Sequence, residues 1–234
     1  MNHRRLALAQ GLDDTRAALR RWNAAPGPLV ARWALGSLAV SCALLYLVWA
    51  VSHRAAPDAS ALLLPGLNRP AGPADVARVV ARNSLVLLLH ALACVAGYMA
   101  GSALPAQAEH QRGVARALYR HAGPVAIAFV AAATLFSLGT QAYVLGSDAA
   151  TLASQLGIGQ ATLILTLLPH ALPELTALFL PLAAWLVASR RGRFDELLAA
   201  TVATSALAGP VLVLAATVEV YAWPRLLLAA SPLR

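Results

Sequence analysis

Apolar residues in this chain gather into long runs separated by short polar stretches. A bilayer core of about 30 Å takes about 20 helical residues to cross. Runs of that length or more cover about Trp33–Ser52, Asn83–Leu104, Gly123–Leu145, Ile158–Ala188 and Leu197–Tyr221. The fourth would make about 45 Å of straight helix, too long for one upright span and too short for two. Pro169, Pro173 and Pro181 lie inside it. Each removes a helical hydrogen bond and crowds the preceding turn. The pattern therefore predicts a broken or strongly kinked fourth span, with its freed carbonyls buried in protein. The fold class expected is all-α: a polytopic helical membrane protein with about five transmembrane helices.

The polar stretches divide the chain into three parts. Residues 1–32 carry Leu8, Leu12, Leu19 and Trp22 near helical spacing, with Arg16, Arg20 and Arg21 elsewhere on the turn. That is an amphipathic helix, lying either on the membrane surface or on the protein's own cytoplasmic loops. Pro26 and Pro28 should end it. Residues 33–224 form the transmembrane helical domain, and 225–234 are a short tail. Within the domain, 53–82 is a Pro- and Gly-rich loop whose last part, Asp75–Arg82, is helical and leads into the second span. Residues 105–121 hold Arg112, Arg116 and Arg120 on one helical stripe. Gly146–Gly157 is expected to be a linker.

Composition agrees with the pattern. The chain is 59% hydrophobic and 12% charged, with a mean hydropathy of +0.66. A soluble domain averages roughly 45–50% apolar and roughly 25% charged residues. All 18 basic residues are Arg, against 10 acidic residues. The resulting net charge of +8 lies in loops between apolar blocks, so it points to anionic lipid and not to nucleic acid. Twelve Arg fall on one side of the five-span model and six on the other, four of these six in 53–82. That bias predicts a cytoplasmic N-terminus, and the absence of Lys with abundant Ala suggests a GC-rich bacterial genome, hence a bacterial cell membrane. Cys42 and Cys94 both lie in apolar blocks, so no disulfide framework and no Cys-rich zinc site are expected. No cleavable signal peptide is expected either.

Four ionisable residues fall within spans: His90, His170, Glu174 and Glu219. An intramembrane carboxylate costs a few kcal/mol even on permissive scales, so each is a candidate for function. His170 and Glu174 are four apart and share a helix face, continued by Thr162 and Thr166. The expected site is a buried polar cluster of His170, Glu174, Glu219 and Thr166, with the imidazole bridging two carboxyl groups. It can serve as a structural hydrogen-bond cluster, handle protons or ions, or hold a metal. His90 and Cys94 are also four apart. Neither pair forms a recognisable metal motif, and no nucleophile motif or phosphate-binding glycine loop is present. No cofactor, metal or enzymatic activity is expected. Ala93, Gly97 and Gly101 make a small-residue face suited to close helix packing, within the chain or in a dimer.

Three segments carry a family resemblance. Leu168–Leu180, LPHALPELTALFL, resembles the signature of the stage II sporulation protein M family, His-Gly-x-x-Glu followed by small and aliphatic residues. Val213–Pro224, VLAATVEVYAWP, is similar to that family's C-terminal motif. Arg82–Gly101, with Asn83, Gly97 and Gly101, resembles its Asn-containing first core span. The resemblance covers about 82–224, and His170, Glu174 and Glu219 fall on matching positions. Ala171 stands where the family has Gly, and the family's Asn-Gly pair after the first core span is absent. The resemblance implies a helical inner-membrane protein that works with envelope partners. The expected function is thus a non-enzymatic scaffold or subunit of an envelope-associated complex, or a homo-oligomer, in contact with lipid. The alternative is a transporter or channel component in which His170, Glu174 and Glu219 handle protons or ions.

Overall fold

The computed structural model describes residues 3–59, 62–105 and 112–233; the side chains of 3–8, 115–121 and 126 are outside the description. The described residues hold no β-strand. The helices are α1 (His3–Asn23), α2 (Pro26–Ser52), α3 (Pro73–Tyr98), α4 (Gly113–Leu156), α5 (Gln160–Leu178), α6 (Leu180–Arg190), α7 (Leu197–Tyr221) and α8 (Trp223–Ala230). A π-helical turn, Met99–Ala103, extends α3. Among the described residues, five helical segments are long and apolar enough to cross a membrane: 26–52, 73–103, 122–156, 160–178 and 194–230. The chain is an all-α, polytopic helical membrane protein.

The fourth run is broken, as its length requires. The break is not at Pro169 or Pro173, which both lie inside α5. It is at Phe179 (φ −90°, ψ 0°), with Pro181 in the first turn of α6. Proline is well placed there because the first-turn amide has no helical partner to lose. At about 28 Å, α5 alone matches the hydrocarbon core. Pro26 similarly opens α2, so the first span begins earlier than Trp33.

One expectation about loops is corrected. Gly146–Gly157 is not a linker: α4 continues to Leu156, and only residues 157–159 separate it from α5. Ala149, Ala150, Leu152 and Ala153 are all buried helix formers, and packing decides against the turn that Gly146 suggested. Thr151 adds a tie, its hydroxyl accepting the Asp58 backbone N–H at 3.0 Å. The short tail carries most of α8, which runs to Ala230.

The chain divides into two compact units, one from 1–37, 86–134 and 179–207, the other from 38–85, 135–178 and 208–234. The first has a core of Cys94, Tyr98, Ala103, Ala188 and Leu197, packed by Trp185, Phe194 and Leu198. There α1 rests on the protein's own loop: Arg21 pairs with Asp195 (3.0 Å) and Glu196 (3.2 Å), and the Tyr98 hydroxyl donates to Asp14 (3.2 Å). Of the Arg stripe, the side chains of Arg116 and Arg120 lie outside the described residues. The second unit contains the intramembrane carboxylates.

Candidate functional site: a buried polar cluster

Within the second unit, α5 carries Thr166, His170 and Glu174 on one face. His170 and Glu174 are buried. The lower part of this row meets α8. The Trp223 indole N–H donates to Thr166 Oγ1 at 3.3 Å, and that hydroxyl donates to the Leu163 carbonyl at 2.7 Å. The His170 ring lies 5.1 Å from the Trp223 ring, tilted by 53°. Thr166 is thus satisfied within its own helix and by an indole, while His170 Nδ1 is buried without a hydrogen-bond partner.

One turn further on, Glu174 lies in the field of the acid of α7 and of the start of the second span on α3. Glu219 and Arg82 both couple electrostatically to Glu174, and Arg82 also couples to Glu219. The two carboxylates repel each other, and the guanidinium attracts both. Asn83, 3% exposed, approaches the Glu174 carboxyl, yet the contact falls short of a formed hydrogen bond. Asn83 Nδ2 and Glu174 Oε2 both stay buried without a partner. Each such group normally finds one, because leaving it bare costs about 1–3 kcal/mol.

Glu174 and Glu219 thus feel each other's charge, with no hydrogen bond or ion pair between them or to Arg82 among the described residues. His170 shares their neighbourhood but bridges nothing: no hydrogen bond or ion pair joins it to either carboxylate among the described residues. Its ring instead covers Trp223, since an amphipathic imidazole packs readily on an indole face. Arg82 and Trp223 enter the site without having been picked out for it. Arg82 sits at the edge of an apolar run and reads as a loop charge, and Trp223 lies just past the end of the last run. Their signal was spacing: Arg82 adjoins Asn83, and Trp223 is four residues beyond Glu219.

The loop before α3 is built against the same end of α7. Gly66 has φ +79°, and a Cβ there would sit 3.2 Å from the Val220 carbonyl and 3.0 Å from Pro224. Only glycine allows both that backbone and that approach. Asp75 in the first turn of α3 accepts from the Gly72 N–H (3.0 Å), Arg69 (2.6 Å) and Arg78 (2.7 Å).

The other sequence candidates lie in the first unit. The His90 ring meets the Phe179 ring edge-on at 5.2 Å, and the Cys94 thiol donates to the Pro181 carbonyl at 3.0 Å. Ala93 is buried. A Cβ on Gly97 would stand 2.6 Å from Trp185 Nε1 and 2.8 Å from Leu197 Cδ1, and one on Gly101 would collide with the Phe194 ring. No group of three His, Cys, Asp or Glu suited to a metal ion occurs among the described residues.

Comparison with known proteins finds no relative: no protein-family model, curated protein or solved structure matches the chain.

Proposed function

We propose that the chain is a non-enzymatic scaffold or subunit of a membrane complex in the bacterial inner membrane, related to the stage II sporulation protein M family, with a cytoplasmic N-terminus. The observation that carries the assembly reading is the bareness of α4. Its most apolar 18-residue window is only 6% buried, against 28–33% for the other four candidate spans. Phe129, Leu135, Phe136 and Tyr143 are all exposed, Phe136 by 77%. Gly139 has no neighbouring atom within 4 Å, so a partner backbone can approach closely there. Lipid tails solvate such a helix, but packing against another helix adds van der Waals contact that lipid does not match.

The four Arg in 53–82 count against this orientation, outweighed by the twelve on the other side; Arg69 and Arg78 are paired with Asp75. The three segments that resemble the family's motifs support the relationship.

A photo-crosslinking amino acid placed at Phe136 tests the assembly reading. In cells, it should give one discrete protein adduct, whereas the same group at the exposed Leu85 of α3 should give none. Equal labelling from both positions, or no protein adduct from Phe136, would sink it.

A further inference from the structure

The exposed surface of α4 is not apolar throughout. Ser137, Thr140 and Val144 follow one another at i, i+3 and i+7, the spacing of a helix–helix seam, and all three are exposed. Gln141, half-buried, lies beside them, one turn from Ser137. All four residues fall inside the apolar stretch 122–156, away from both of its ends. Lipid tails offer neither donor nor acceptor, so a polar group at such a position must find its partner in protein.

Only part of that demand is met within the chain. The Thr140 hydroxyl donates to the Phe136 carbonyl at 2.9 Å, as the Thr134 hydroxyl does to the Val130 carbonyl at 2.8 Å. Both threonines are satisfied within their own helix. Ser137 makes no such return bond among the described residues. Its Oγ instead accepts from Gln141 Nε2 at 3.0 Å. The Ser137 O–H and the Gln141 Oε1 are left without a partner among the described residues. Turning the amide over changes which atoms are spare and not the outcome: the pair still keeps one donor and one acceptor over.

A pair with one spare donor and one spare acceptor is its own complement. Copies of one membrane protein share one orientation, so a two-fold axis relating two of them runs along the bilayer normal and brings equal depths of α4 together. Gln141 reaches back one turn, as its bond to Ser137 shows, so its spare oxygen sits at the depth of Ser137. Across the axis it meets the hydroxyl of the second copy's Ser137, and symmetry makes the bond twice. The small side chains of Ser137 and Thr140 let the two backbones approach closely enough. An unrelated helix would have to supply the matching donor and acceptor at the same depth.

We propose that α4 pairs with α4 of a second copy of this chain, held by two symmetric Ser137–Gln141 hydrogen bonds. This names the partner within the assembly reading and rests on it.

The test uses the full chain. Two copies with different epitope tags are expressed together, each with a photo-crosslinking amino acid at Phe136, one turn from Thr140. The adduct should carry both tags. An adduct with a foreign protein alone overturns the second copy and leaves the assembly reading standing; no protein adduct overturns both. In lipid vesicles, energy transfer between copies fused to donor and acceptor fluorophores is followed as lipid dilutes the protein. Gln141→Leu and Ser137→Ala should each raise the dissociation constant about tenfold. Thr140→Val keeps the shape of the seam and loses a hydroxyl already satisfied, so it should stay within about twofold of wild type. Equal melting temperatures of the diluted variants show that pairing is lost and not the fold. The proposal fails if wild type transfers no energy beyond chance encounter, or if Thr140→Val weakens the pair as much as Gln141→Leu.

Discussion

Asp75 shows how one residue can organise a loop. Its carboxylate gathers two guanidinium groups and a backbone amide at the start of α3, where the helix end also favours negative charge. Nearby, the Gly66 amide closes on the Arg69 carbonyl at 2.7 Å, so the turn depends on Arg69 being held. Asp75→Asn should therefore speed hydrogen exchange across 62–72, leaving α7 unchanged. Equal exchange in the two proteins would show that the loop stands without the pairing. At this scale the sequence was readable where a residue was out of place. Glu174 and Glu219 stood out because charge in a span is expensive. Arg82 did not, because an Arg at the edge of a run is ordinary and its partners come from helices about 90 and 140 positions away.

At the scale of elements, hydrophobic length was the reliable signal. The last span expected at Leu197–Tyr221 is α7 with the same bounds. Turn signals misled: Gly146 lies within α4 because its hydrogen atom faces Val51, whose Cβ would be 2.6 Å from a side chain there. A glycine can mark close packing as well as a turn, and sequence alone does not say which. The same distinction gives a paired test. Gly97→Leu must displace Trp185 and Leu197 and should cost about 1–3 kcal/mol, as overpacking does. Gly139→Leu meets open space and should stay within about 0.5 kcal/mol of wild type. Thermal unfolding in detergent compares them; equal melting temperatures would mean that Gly97 is not at a tight contact.

For the whole molecule, an odd number of spans puts the two chain ends on opposite sides. The proposed orientation predicts cytoplasmic signal from a reporter after residue 32 and after residue 193. A reporter in the turn at 157–159 should read outside. A cytoplasmic signal from 158, or an external one from 193, would reverse the model. Helix number follows from run length, and the proposed orientation rests on Arg placement. The division into two compact units follows from neither, because each unit is assembled from three separated stretches of chain.

The end of α4 has a consequence for the order in which the protein is made. Its turn into α5 is three residues long, with Gly157 at φ +63°, so α4 and α5 must enter the membrane as one hairpin. The Leu156 carbonyl at the tip is closed by the Ser231 hydroxyl at 2.7 Å, from a residue 75 positions later. At ribosomal speeds of about 5–20 residues per second, that closure arrives roughly 4 to 15 s after the hairpin tip is synthesised. For that interval the Leu156 carbonyl lacks its hydroxyl, while the ties from Asp58 to Thr151 and from Leu62 to Gln155 can already form.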